Sequence, residues 1–370
     1  MIKQNLPKDF IPMVATQEKK EEELLSRENV TGVALGHKIK NNKDTGEPSL
    51  VVFVTQKLDE DLLSKVGRIP KAIDGVKTDV IETGPIFAGQ LAAEPETVKT
   101  NGTVYGPKVG LDFDTETEYA VLEAEQAALP IPRPRRRPEV EAPPTLRQRV
   151  RPVMGGFSIG HYKSIAGTVA TACYDWSAFP GIPPRYYLLS NNHVLANSNN
   201  ARLGDPILQP CPYDGGVYPR DMIGRLTRYV PIRFRANGAA PRNYVDAALA
   251  EVPFHLVDRE IYWLGRVKRL WTQAKINETV QKTGRTTNFS TGRVIALNAT
   301  VDVGYGNGRM ARFCRQIVTS PMGAPGDSGS LITNLTEEAV GLLFAGSTTV
   351  SIANDIRFVQ QLLRIRLCED

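Results

Sequence analysis

With 370 residues, 41% of them hydrophobic and 23% charged, the chain has ample material for a folded core and is too long for one small domain. No run approaches the roughly 18 consecutive apolar residues of a membrane span, which excludes a helical membrane protein at the level of sequence. The net charge of +5 is modest, and much of the basic excess sits in one segment, so charge alone does not point to a nucleic-acid partner.

The start, MIKQNLPKDFIPMVATQEKKEEELL, lacks a signal-peptide apolar stretch. Residues 17–27 (QEKKEEELLSR) read as a short charged helix. TGVALGHKIK and SLVVFVTQ then read as two strands of a hairpin, because β-branched and aromatic residues alternate with the turn-rich NNKDTGEP between them. Asp59 is placed to cap a following helix, with Glu60 and Asp61 in its first turn and Leu62, Leu63 and Val66 facing inward. GVKTDVIE supplies a third strand. Residues 1–85 are thus expected to form a small α+β domain of order strand, strand, helix, strand.

Residues 86–152 change character. Six acidic residues between Asp112 and Glu125 precede LPIPRPRRRPEVEAPPTLRQRVRP, whose prolines remove backbone donors and fix extended backbone, so a linker is expected. Its arginines could meet nucleic acid or an acidic patch, but a solvated tether is favoured. From Val153 onward, short strand-like runs (YYLLS, YVDAALAEV, GRVIAL, CRQIVTS and AVGLLFAGS) alternate with Gly and Pro turns, and helical periodicity appears mainly in RFVQQLLRIRL. Residues 153–370 are therefore read as mainly β, a β-barrel domain with a C-terminal helix. Cys173, Cys211, Cys314 and Cys368 lack metal-ligand spacing and are read as buried free thiols; no metal and no cofactor are expected.

GAPGDSGSLI places Ser328 between two glycines, directly after Asp327. A serine hydroxyl is a poor nucleophile until a base takes its proton, and that base is usually a histidine oriented by a buried carboxylate. Among four histidines, His193 in YYLLSNNHVLA stands just after an apolar strand, and Asp246 in NYVDAALAEV is a lone carboxylate in an otherwise apolar strand, which requires a donor nearby. Taken singly, His193 reads as a satisfied core histidine and Asp246 as a strand-edge residue. Together with Ser328 they follow the chain order His, Asp, Ser of one known triad arrangement. Asp205 and Asp221 are the fallback carboxylates.

These motifs resemble those of trypsin-like (chymotrypsin-fold) serine peptidases, in a bacterial-looking form similar to the plant narrow-leaf protein family. SNNHVLA is similar to the family's histidine motif, VDAALA to its aspartate motif, GDSGS to its serine motif, and KTGRTTNFSTGRV to the segment opening the second barrel in bacterial members. The resemblance implies a chymotrypsin-like double β-barrel with a C-terminal helix behind the small α+β N-terminal domain. It implies Ser328 as nucleophile, His193 as general base and then acid, Asp246 as the group orienting His193, and the N–H groups of Gly326 and Ser328 as an oxyanion hole. Asp327 would be a structural charge, neutralised by a freshly cut chain terminus or an internal basic side chain. Met322 would stand at the base of the specificity pocket, giving a preference for an uncharged residue before the scissile bond. Phe344, Ala345 and Gly346 would form the wall strand whose backbone pairs with substrate.

Val194 and Ala324 occupy places where secreted relatives carry cysteines, which suggests a cytoplasmic enzyme acting on protein or peptide substrates, without nucleic acid or membrane. A regulatory partner or oligomer contact would use the N-terminal domain. The alternative is a catalytically silent trypsin-fold scaffold that binds protein. RPVMGGFSIG resembles the start of mature trypsin-like chains, but Pro152 disfavours a cut after Arg151, and control through an intact tether is expected instead.

Overall fold

The computed structural model describes residues 4–41, 43–59, 63–64, 67–89, 145–176, 183–236, 240–273 and 275–368. Most of the expected linker, including its acidic run, lies outside them, as does most of the helix expected after Asp59; the described residues 57–59 are not helical. No helix among the described residues is long and apolar enough to cross a membrane.

The fold is mainly β, in two strand-rich halves. One eight-stranded antiparallel sheet forms the first half; among its strands are β5 (Ser158–His161), β6 (Tyr186–Ser190), β7 (Met222–Tyr229) and β8 (Ala248–Val252). The second half holds β9 (Thr279–Gly284), the long β10 (Asn288–Gly304), β11 (Met310–Thr319), β12 (Leu331–Asn334), β13 (Glu338–Gly346) and β14 (Ser351–Asp355). Each half closes over its own apolar cluster. Phe157, Ile159, Leu188 and Leu226 are in the first, and Val280, Leu297, Ile317 and Val340 are in the second.

The expected C-terminal helix is Ile356–Leu363, capped by the Asp355 carboxylate accepting from the Arg357 N–H at 3.0 Å. Its Ile356, Val359 and Leu363 recur at helical spacing and enter a cluster with Leu189 and Leu249 of the first half and Leu331 and Leu342 of the second. The helix thereby fixes the two halves against each other.

The N-terminal segment packs within the same compact unit as residues 145–370. Helix α1 spans Ile11–Leu25, β1 Val30–Lys40, β2 Lys43–Val54 and β3 Val76–Glu82; β1 and β2 form the expected hairpin, and β3 runs parallel to β2. β1 also pairs antiparallel with β10, Gly32 opposite Val301 and Gly36 opposite Ala296, so the N-terminal strands extend the second-half sheet. Strand alternation then buries both faces. Val33, Leu35, Leu50 and Val52 meet Phe10, Met13 and Leu24, while Ala34, Val51 and Phe53 join Val301, Phe313 and Ile352. The run SLVVFV is continuous rather than alternating because it is covered on both sides.

The helix is longer than its charged portion. Gln17 and Glu21 face inward, where Gln17 exchanges hydrogen bonds with Asn298 and the Thr300 hydroxyl donates to Glu21 at 2.9 Å. Arg312, buried, makes a bidentate pair with Asp302 and reaches Glu22 at 2.6 Å. Residues 86–89 and 145–152, assigned to the linker by sequence, are also structured at their ends: Phe87–Ala88 is a short strand, β4, and Leu146 is buried in the first-half core.

Candidate active site

His193 sits on a single helical turn, Asn192–Leu195, directly after β6; Val194, Leu195 and Ala196 are fully buried beneath it and fix the ring's direction. Asp246 lies in the extended segment just before β8, rather than within the strand as expected. Its Oδ2 is 2.7 Å from His193 Nδ1, and its Oδ1 accepts the His193 N–H at 3.1 Å. Two groups not read from the sequence complete the cage. The Tyr305 hydroxyl donates to Asp246 Oδ2 at 2.7 Å, and the Asp246 N–H donates to Asn354 Oδ1 at 2.9 Å. Burial, and then the adjoining carboxylate, hold the Tyr305 phenol well above its ordinary pKa, so it remains a donor. Asp246 is fully buried, and the His193 and Tyr305 groups satisfy its carboxylate charge.

Ser328 occupies the turn between β11 and β12 and lines a small cleft with Ala324, Pro325, Leu343 and Ala345. The turn is pinned to both halves of the molecule. The Thr168 N–H donates to Ser328 O at 2.8 Å, the Thr168 hydroxyl donates to Gly326 O at 2.8 Å, and the Gly329 N–H donates to Leu343 O at 2.8 Å. Gly326 adopts φ +94°, and a Cβ there would stand 2.6 Å from both Arg285 Nη1 and Thr286 Oγ1, so conformation and space both require glycine.

Asp327 points away from the cleft. Lys282, fully buried, reaches its Oδ2 at 2.9 Å, the Thr287 hydroxyl donates to the same oxygen at 2.6 Å, and the Thr286 N–H donates to Oδ1 at 2.8 Å. Burial pulls the Lys282 ammonium below its usual pKa, against the opposing pull of Asp327. The internal basic side chain of the two expected alternatives is the one present. Lys282, Thr286 and Thr287 all come from KTGRTTNF, and a lysine inside the strand TVQKTG was the available signal for a buried partner.

Met322 is not among the residues lining the cleft. Its side chain packs in the second-half core with Trp271, Ile317 and Leu343. Phe344 likewise points into the core against Phe313, with ring centroids 4.7 Å apart. Ala345 and Gly346 line the cleft, as do Ser347 and Ser351. The fallback carboxylates are engaged elsewhere, Asp205 with His161 at 3.0 Å and Asp221 with Arg220 at 2.8 Å. All four cysteines are buried, Cys173, Cys211 and Cys314 as free thiols, and no metal-binding cluster occurs among the described residues.

Residues 14–82 match the profile of the NARROW LEAF 1 N-terminal domain. Serine protease 2 of Streptomyces fradiae is 40% identical over 81 residues, 22% of this chain and 38% of that protein. By these two matches the chain is similar to serine proteases, behind a segment similar to the NARROW LEAF 1 N-terminal domain. It spans 38% of the length of that curated relative. Among solved structures, Thermobifida fusca Protease A matches at 14% identity over 59% of this chain and 99% of its own, with a TM-score of 0.41. A Nocardiopsis protease matches at 18% identity over 59% and 99%, with a TM-score of 0.40. The NARROW LEAF 1 match runs from within α1 to the end of β3 and stops just before β4.

The Tyr305 hydroxyl on Asp246 gives a direct prediction. Tyr305→Phe keeps the ring but removes one donor from Asp246, and should lower kcat/KM for peptide hydrolysis about tenfold, as expected for a charge-assisted hydrogen bond. Steady-state kinetics beside a thermal melt test this, and unchanged kcat/KM would show that the phenol only fills space.

Proposed function

We propose that the protein is a serine endopeptidase acting through an acyl-enzyme on Ser328. The Ser328 oxygen attacks the carbonyl carbon of a peptide bond while His193 Nε2 takes the hydroxyl proton. Asp246 holds the Nδ1–H tautomer and stabilises the imidazolium, and the Gly326 and Ser328 N–H groups receive the oxyanion. As the C–N bond breaks, the proton on Nε2 passes to the leaving amine. Water, deprotonated by the same nitrogen, then attacks the acyl-serine and frees the enzyme.

The observation that carries this proposal is the His193–Asp246 pair at 2.7 Å, whose outer nitrogen lies beside Gly89, a residue lining the Ser328 cleft. His193 Nε2 has no hydrogen-bond partner among the described residues, and a base–nucleophile bond of this kind commonly tightens only with substrate. Asp327, neutralised internally by Lys282, supports a turn that needs no activating cut. The substrate is a protein or peptide; Leu343 and Ala345 in the cleft favour an uncharged residue before the scissile bond, since they would leave a guanidinium desolvated and unpaired. The free thiols of Cys173, Cys211 and Cys314 suit a reducing compartment.

Fluorophosphonate tests the nucleophile without knowledge of the substrate. Reaction with excess probe to completion should leave one adduct, mapped to Ser328 by peptide mass spectrometry. No adduct, or one elsewhere, would overturn the proposal.

A further inference from the structure

We propose that residues Ile86–Gly89 are a built-in pseudo-substrate: this segment of the chain lies where an incoming peptide would pair, and closes the site until it is displaced. This rests on the peptidase proposal above and adds a control element and a substrate class to it.

β13 is paired along one edge by β14. On its other edge β4 pairs antiparallel with it, Phe87 opposite Gly346 and Ala88 opposite Ala345. That backbone is the stretch assigned by family resemblance to substrate. The segment is docked from its other flank as well. The Gly304 N–H donates to Ile86 O at 2.9 Å, and a Cβ on Gly304 would stand 2.7 Å from the Phe87 ring, so the ring lies directly on that glycine. Ile86 and Ala88 are 3% and 5% exposed and belong to the core cluster that contains Phe313 and Phe344.

Gly89 carries the segment to the candidate catalytic residues. A Cβ at Gly89 would lie 3.1 Å from His193 Nε2, 3.0 Å from His193 Cδ2 and 2.9 Å from Ile165 Cδ1. Phe87 and Gly89 line the same cleft as Ser328. A general base must be reachable, yet His193 Nε2 is buried and has no partner among the described residues, with Gly89 against it. Gly89 also has φ +68°, so the chain bends into the left-handed region at the residue that would present the scissile carbonyl. The segment therefore occupies the acyl side of the groove, with a backbone bend at Gly89 that an extended substrate would not share. A peptide that replaces it should share its chemistry, an aromatic residue three positions before the cut followed by two small residues.

The test compares full-length wild type with Ala88→Pro, which removes a backbone donor from β4, and with Gly89→Val, which cannot fit beside His193. Neither residue takes part in the proposed chemistry. If the segment closes the site, the rate of fluorophosphonate labelling at Ser328 should rise about tenfold or more in both variants, because the open fraction sets the apparent reactivity. The peptide acetyl-Ile-Phe-Ala-Gly should then protect the opened variants competitively. Labelling at the wild-type rate in variants whose circular dichroism and Tm are unchanged would overturn the inference while leaving the peptidase proposal standing. Absence of labelling in all three proteins would overturn both. If either variant unfolds, Phe87→Ala, which removes only the ring, carries the same comparison to the same two outcomes.

Discussion

Ser328→Ala is expected to reduce peptide hydrolysis about a million-fold, the size of loss seen when a triad serine is removed from a comparable enzyme. The backbone of the turn should survive, since its anchors do not use the Ser328 side chain: the Thr168 N–H bonds to Ser328 O, and Asp327 is held by Lys282, Thr286 and Thr287. Fluorophosphonate labelling should vanish with the hydroxyl, while the thermal midpoint stays near wild type. A variant that hydrolyses peptides within tenfold of wild type would mean that another group forms the acyl intermediate.

Asp246→Asn should cost about ten-thousand-fold in turnover, the size of loss that the equivalent change causes in the trypsin triad. The amide nearly matches the carboxylate in shape, and its oxygen can still accept the His193 N–H. Its NH2 would then face His193 Nδ1 and the Tyr305 hydroxyl, where the carboxylate accepts from both. Two donors cannot satisfy each other. The imidazole is driven to the tautomer with its proton on Nε2, which leaves no lone pair to take the proton of Ser328. Because Asp205 and Asp221 are committed to His161 and Arg220, neither can substitute. Steady-state kinetics on a fluorogenic peptide check this, and retention of a tenth of the wild-type rate would show that another residue orients His193.

The candidate site was legible where chemistry is local in sequence. Gly326, Asp327 and Ser328 are adjacent, and a positive-φ glycine beside a serine is required wherever the turn forms. His193 and Asp246 were legible less directly, as polar groups in apolar surroundings that must find partners when buried. Tyr305 and Asn354 were not, since nothing in their neighbourhoods distinguishes a tyrosine that hydrogen-bonds a distant carboxylate from one that packs in a core. Met322 was placed by analogy with the motif spacing, and the side-chain direction that sends it into the core depends on the fold around it.

Patterns along the chain were enough for the strand-rich class, the hairpin at residues 30–54, the C-terminal helix and the order of the three candidate catalytic residues, because alternation, turn chemistry and helical spacing are set by near neighbours. It took the folded chain to join the N-terminal strands to β10, to bring Lys282 onto Asp327, and to lay Phe87–Gly89 on β13 beside His193. Each of these brings together groups far apart in sequence. An apolar strand face or a buried charge states that it must be covered or paired, but many distant segments could meet that requirement, and packing of the whole chain selects which one does.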